Sequence, residues 1–238
     1  MKNNAFKRLL PINFAILTAM IMLALCLNSA AIYVNQNNPV NTGMTVVIDP
    51  GHGMPDGGTT SCTGILEADL NLEISHRLND LFHLFGINTV MTRTDRESIY
   101  TQGNTISKKK VSDTRNRVSI VNSTDHALLL SIHQNHFYDS RYSGAQVFYR
   151  DDQNSKHLAI KLQENLISNL NPSSSRKAKK STGVYLMEHI KCTGVLIECG
   201  FLSNQQEENL LRSPEYQKKL CAVLAVSTTS YLNQNSAS

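Results

Sequence analysis

Thr45-Val46-Val47-Ile48-Asp49-Pro50-Gly51 is the stretch from which the fold is read. A run of β-branched residues closed by Pro-Gly predicts a buried strand that stops abruptly. Working outward, Glu67 to Phe85 sets Leu70, Ile74, Leu78, Leu81 and Phe85 at helical spacing, with Gly86 placed as the stop. Ile87 to Thr92 reads as a second strand and polar Thr94 to Lys110 as a loop. Asp113 to Val121 reads as a helix, and Ala127 to His133 as a third strand. The strand Ala145 to Tyr149 precedes a helix from Ser155 to Leu170 and a basic linker from Asn171 to Ser181. Val184 to Met187 and Val195 to Glu198 complete the strands, and Pro214 to Leu232 is an apolar closing helix. Strand–helix alternation of this kind predicts an α/β fold: one domain over residues 43–234, with a mostly parallel twisted sheet of about six strands and helices on both faces.

Residues 1–34 differ in kind. Lys2, Lys7 and Arg8 precede an apolar run from Leu9 to Leu27, and Ser29-Ala30-Ala31 follow. This order predicts a signal peptide or N-terminal membrane anchor that engages the membrane during export. The chain of 238 residues has 23 basic and 19 acidic side chains. The leader holds three of the basic residues and no acid, so the rest stands at 20 against 19, and nucleic acid is not an expected partner. At 41% apolar the chain has the means to bury a core, which excludes a disordered class. Lys108-Lys109-Lys110 and Arg176 to Lys180 read as solvated loops. Beyond the leader, Cys62, Cys192, Cys199 and Cys221 form no C-x-x-C pair and demand no disulfide.

Four ionisable residues fall at one end of the predicted sheet. His52 follows the first strand, Glu67 opens the first long helix, His133 ends the third strand and Glu198 ends the last. In an open α/β sheet the crevice lies beyond the carboxyl ends of the strands, so all four face one cleft. Taken singly, each has a bland reading: an exposed loop histidine, a helix-first-turn acid, a hydrogen-bonded core histidine. Glu198 after Val195-Leu196-Ile197 is the least bland, because a buried carboxylate is costly unless paired. Two histidines and one carboxylate with an open fourth place is a recurring catalytic zinc shell. A second carboxylate acting as general base then suits amide hydrolysis. His136 is a lesser rival to His133. H-E-x-x-H and G-x-S-x-G are both absent.

Val47-Ile48-Asp49-Pro50-Gly51-His52-Gly53, Glu67-Ala68-Asp69-Leu70-Asn71-Leu72, Ser131-Ile132-His133-Gln134-Asn135 and Ile197-Glu198-Cys199-Gly200-Phe201-Leu202-Ser203-Asn204 together resemble the four blocks of the zinc-dependent N-acetylmuramoyl-L-alanine amidases. Thr92-Arg93, the helix of Arg117 and Ser213-Pro214-Glu215-Tyr216 resemble further landmarks of that family. The resemblance implies one Zn2+ ion on His52, Glu67 and His133, with Glu198 catalytic. It implies cleavage of the amide between N-acetylmuramic acid and the L-alanine of peptidoglycan stem peptides. The nearest likeness is to the germination-specific spore-cortex amidases, whose action leads to muramic-δ-lactam; it implies a place outside the cytoplasm, in the forespore–mother cell intermembrane space. Some members of that family are held inactive until a protein engages them, so an activating partner belongs to the expectation.

This sequence departs from the family pattern at Met54, Gln134 and Cys199, none of them a ligand position. Cys199, beside Glu198, predicts a site sensitive to oxidation. Two other readings stand beside the leading one: another zinc-dependent wall peptidase such as a carboxypeptidase, and a non-catalytic wall-binding protein. Intact His52, Glu67, His133 and Glu198 speak against the second.

Overall fold

A computed structural model describes residues 43–235, so the leader expected over 1–34 lies outside the described residues. The elements in chain order are β1 (Thr45–Pro50), α1 (Glu67–Leu84), β2 (Asn88–Met91), α2 (Ile106–Ser123), β3 (Ala127–Asn135), β4 (Gln146–Tyr149), α3 (Gln153–Leu170), β5 (Lys179–Lys180), α4 (Tyr185–His189), β6 (Thr193–Phe201), α5 (Gln205–Leu211) and α6 (Pro214–Asn235). The strands form one sheet in the order β2-β1-β3-β6-β4-β5. β2, β1, β3 and β6 are mutually parallel, and β4 runs antiparallel to β6. This is the mostly parallel six-strand architecture expected from the alternation.

Period-2 alternation distributes the strand side chains to two cores. Val46, Ile48, Leu128, Leu130, Val195 and Ile197 pack with Leu70, Ile74, Leu78 and Phe82 of α1, Leu158 and Leu162 of α3, and Leu220 and Leu224 of α6. Val47, Leu129 and Leu196 point the other way, against Val121 of α2 and Leu186 and Met187 of α4. Helices therefore cover both faces, and every strand of the central trio is apolar on both sides.

Three expectations are corrected. Val184 to Met187 is not a strand: Leu186 and Met187 enter the second core from the short helix α4. A four-residue apolar run does not distinguish the two by period. The sixth strand is instead Lys179–Lys180, placed in the expected linker, where two lysines pair with Phe148 and Tyr149 along the sheet edge. Lys108 to Lys110 are helical, because Thr105 caps α2 by accepting from the Lys108 amide at 3.3 Å. The apolar pattern hid this start, since α2 buries Asp113, Arg117 and Val121, two of them charged.

Candidate metal centre and catalytic cleft

The cleft is assembled at the carboxyl ends of β1, β3 and β6. β1 stops at Pro50, and the chain turns through Gly51, where a Cβ would lie 2.2 Å from the His133 ring. Only glycine lets that imidazole seat against the loop. His52 follows in the left-handed region, at φ 61. Gly58, at φ +68, returns beneath it; a Cβ there would stand 2.6 Å from Glu67 Oε2. The β3–β6 register sets His133 beside Glu198. Both strands continue past these residues, to Asn135 and Phe201, so neither residue is the strand terminus the sequence suggested.

Three of the four predicted residues form one cluster. Ligand atoms of His52, Glu67 and His133 all lie within 4.8 Å of one another, and no other such trio of His, Cys, Asp or Glu occurs among the described residues. His52 Nε2 is 3.3 Å from Glu67 Oε2, and His133 Nδ1 is 3.0 Å from Oε1. Glu67 also accepts from the amides of Thr59 and Gln134 and from Asn71 Nδ2. Burial pushes the Glu67 carboxyl upward, but the two imidazoles outweigh it and hold it far below the usual carboxylate range. His136 lies outside the cluster.

Asp56 joins the site from outside the residues that the sequence singles out. Its Oδ2 accepts from His52 Nδ1 at 2.9 Å and meets Lys110 Nζ at 3.0 Å. Burial opposes a charged His52 ring, yet the bonds to Asp56 and Glu67 prevail and raise it to about 9. The signal for it in the sequence is a carboxylate four residues after a candidate histidine in a Gly/Pro loop, able to orient the ring from its far nitrogen.

Glu198 completes the group. The residue retains some exposure toward the cleft, but Oε2 is shut off from solvent and has no hydrogen-bond partner among the described residues. Burial lifts its carboxyl to about 7, Glu67 adding to the rise and both imidazoles opposing it. The cleft holds about 680 Å³; Lys110 and Val111 of α2 line it together with Val184 and Tyr185. Cys199 faces away from this chemistry. It is fully buried and burial pushes its thiol well up, so the expected sensitivity to oxidation has no thiolate behind it. All four cysteines of the described residues are free.

Beneath the cleft lies a buried polar layer. Asp49 accepts from Arg117 Nη1 at 2.7 Å, Thr92 Oγ1 at 2.6 Å and Ser131 Oγ at 2.7 Å. Burial alone would raise Asp49, but Arg117 and the two hydroxyls hold it at about 2. Arg117 also pairs with Asp113 at 2.8 Å and donates to the carbonyls of Pro50 and His52.

Two imidazole nitrogens and one carboxylate oxygen form a donor set that suits a zinc ion. Glu198, whose Oε2 is buried and without a partner, fits the same group, because a neighbouring cation is what such a carboxylate oxygen lacks. Fold and site together define the class: an α/β amide hydrolase with a His–Glu–His group at the open end of its sheet. Residues 46–228 match the N-acetylmuramoyl-L-alanine amidase family Amidase_3, and the chain belongs to that family. It is similar to the germination-specific N-acetylmuramoyl-L-alanine amidase of Bacillus subtilis (strain 168), 39% identical over 184 residues that cover 76% of each chain. Among solved structures it is similar to the CwlD amidase of Clostridioides difficile in complex with the GerS lipoprotein, at TM-score 0.77 and 35% identity, covering 80% of this chain and 99% of that one. A second N-acetylmuramoyl-L-alanine amidase, from Clostridium difficile 630, aligns at TM-score 0.70 and 31% identity over 80% and 97% of the two chains.

Proposed function

We propose that this chain hydrolyses the amide between N-acetylmuramic acid and the L-alanine of peptidoglycan stem peptides, with one Zn2+ on His52, Glu67 and His133 and Glu198 as general base. The observation that carries the reading is the cluster of three ligand atoms within 4.8 Å, set beside a carboxylate whose inner oxygen is buried with no partner of its own. When bound, zinc supplies Lewis acidity, polarising a carbonyl and making water more acidic. Asp56 holds His52 Nδ1, leaving Nε2 toward Glu67. Glu198, once ionised, takes a proton from the attacking water and delivers it to the leaving amine of L-alanine.

The same reading extends to where the chain works. Residues 1–34 carry the composition of an export leader, and 39% identity to a germination-specific amidase supports spore cortex, in the forespore–mother cell intermembrane space, as the place of action. The CwlD relative was solved with the GerS lipoprotein, which favours a protein partner here as well. The test is digestion of purified cortex peptidoglycan followed by mass spectrometry. The wild type releases intact stem peptides that begin at L-alanine, and Glu198→Gln retains zinc but releases none. Stems shortened at their far end would indicate a carboxypeptidase, and full activity in Glu198→Gln would overturn the assignment of the base.

A further inference from the structure

Arg93 is 3% exposed and forms no ion pair among the described residues. Its guanidinium donates four hydrogen bonds, all to main-chain carbonyls: Nε to Pro50 at 2.9 Å, Nη2 to Gly51 at 3.0 Å and Ala68 at 2.9 Å, and Nη1 to Asp95 at 2.7 Å. A buried cation with no carboxylate in direct contact, Asp49, Asp113 and Asp95 acting on it only from a distance, is expensive, and ordinary packing at this position would be met by an apolar side chain. What the guanidinium does accomplish is visible in its partners. Pro50 and Gly51 immediately precede His52, and Ala68 immediately follows Glu67. One rigid, planar group thus ties together the two segments that carry two of the three ligands. The loop it grips contains His52 at φ 61, a conformation that non-glycine residues keep only when their surroundings impose it.

We propose that Arg93 is a positioning residue for the metal: it sets the separation of His52 and Glu67 in advance, and its loss is felt in metal affinity over and above any effect on folding. The inference rests on the reading of His52, Glu67 and His133 as ligands. Lysine retains the charge but offers its donors from a single nitrogen, and cannot span carbonyls that surround a planar fork.

The experiment measures zinc dissociation constants by chelator competition on full-length protein, alongside the thermal midpoint of the metal-free form. Arg93→Lys is expected to weaken zinc binding on the order of 10–100-fold, the usual cost of losing a group that orients ligands. Leu162→Ala, a core truncation in α3, which packs against β4, β6 and α6, provides the matched control: it lowers the midpoint and leaves the zinc constant unchanged. If Arg93→Lys does not fold, Arg93→Gln, which buries no charge, takes its place with the same expected weakening. Wild-type zinc affinity in the Arg93 variant, with binding abolished in His52→Ala, overturns the inference and leaves the metal site standing. Wild-type affinity in His52→Ala overturns the metal site itself.

Discussion

Replacing Glu198 by glutamine should make the metal-free protein more stable at alkaline pH while removing its hydrolytic activity. Burial raises the Glu198 carboxyl from an ordinary 4.5 to about 7. A carboxyl raised on folding contributes stability below its unfolded pKa, and that contribution is lost as pH rises through the folded value. At pH 8 the wild type must keep a charge where the fold disfavours it. The shift of about 2.5 units at ~1.4 kcal/mol each makes this cost roughly 3 kcal/mol. Glutamine has the same shape and never ionises. The predicted gain is therefore about 3 kcal/mol at pH 8, falling below about 1 kcal/mol at pH 5, where both side chains are largely neutral. Urea unfolding of chelator-treated wild type and Glu198→Gln at the two pH values measures both numbers. A gain no larger at pH 8 than at pH 5 would refute the argument, because Glu198 would then be an ordinary solvated acid with no reason to await a cation.

Zinc must displace the proton that Asp56 and Glu67 hold on His52, so zinc affinity should climb with pH up to about 9, roughly tenfold per unit for each proton released. Chelator competition at pH 6, 7 and 8 checks this, and a flat profile would show His52 to be neutral in the free protein. Gly51→Ala should abolish zinc binding, since its Cβ would overlap the His133 ring at 2.2 Å; metal content per chain reads the result. Arg117→Met strands Asp49 and Asp113 in the interior and should cost about 3–5 kcal/mol in urea unfolding, against near-zero cost if those carboxylates reach water.

The fold was legible wherever one chemical pattern ran long enough to be unambiguous. β1, α1, β3 and α3 each bury a mainly apolar set, interrupted by only a few polar residues such as Asp49, Asn71, Ser131 and Gln163, and their positions follow from the period of that set. The errors fall where burial is carried by something else. α2 faces the interior with Asp113 and Arg117, so its buried stripe reads as solvent-facing, and β5 is made of two exposed lysines held by main-chain pairing and an ion pair from Lys180 to Asp151, with no apolar side chain. The four site residues were legible as ionisable groups, three predicted at strand ends and one at the start of a helix, an arrangement that folding does not require. Asp56 and the roles of Arg93, Gly51 and Gly58 were not, because each acts through a contact with a residue distant along the chain or across a turn. A carboxylate that orients a ring, or a guanidinium that grips carbonyls, has no period.

The position of β6 has a temporal consequence. His52, Glu67 and His133 all precede it in the chain, whereas β6 lies at the centre of the sheet, between β3 and β4, and carries Glu198. A nascent chain that has emerged only as far as β5 has the three proposed ligands but a sheet in two unjoined parts, and it lacks the proposed base. Hydrolytic competence therefore arrives as one of the last events of the molecule's own synthesis, and a prematurely ended chain is harmless to the polymer it would otherwise cut.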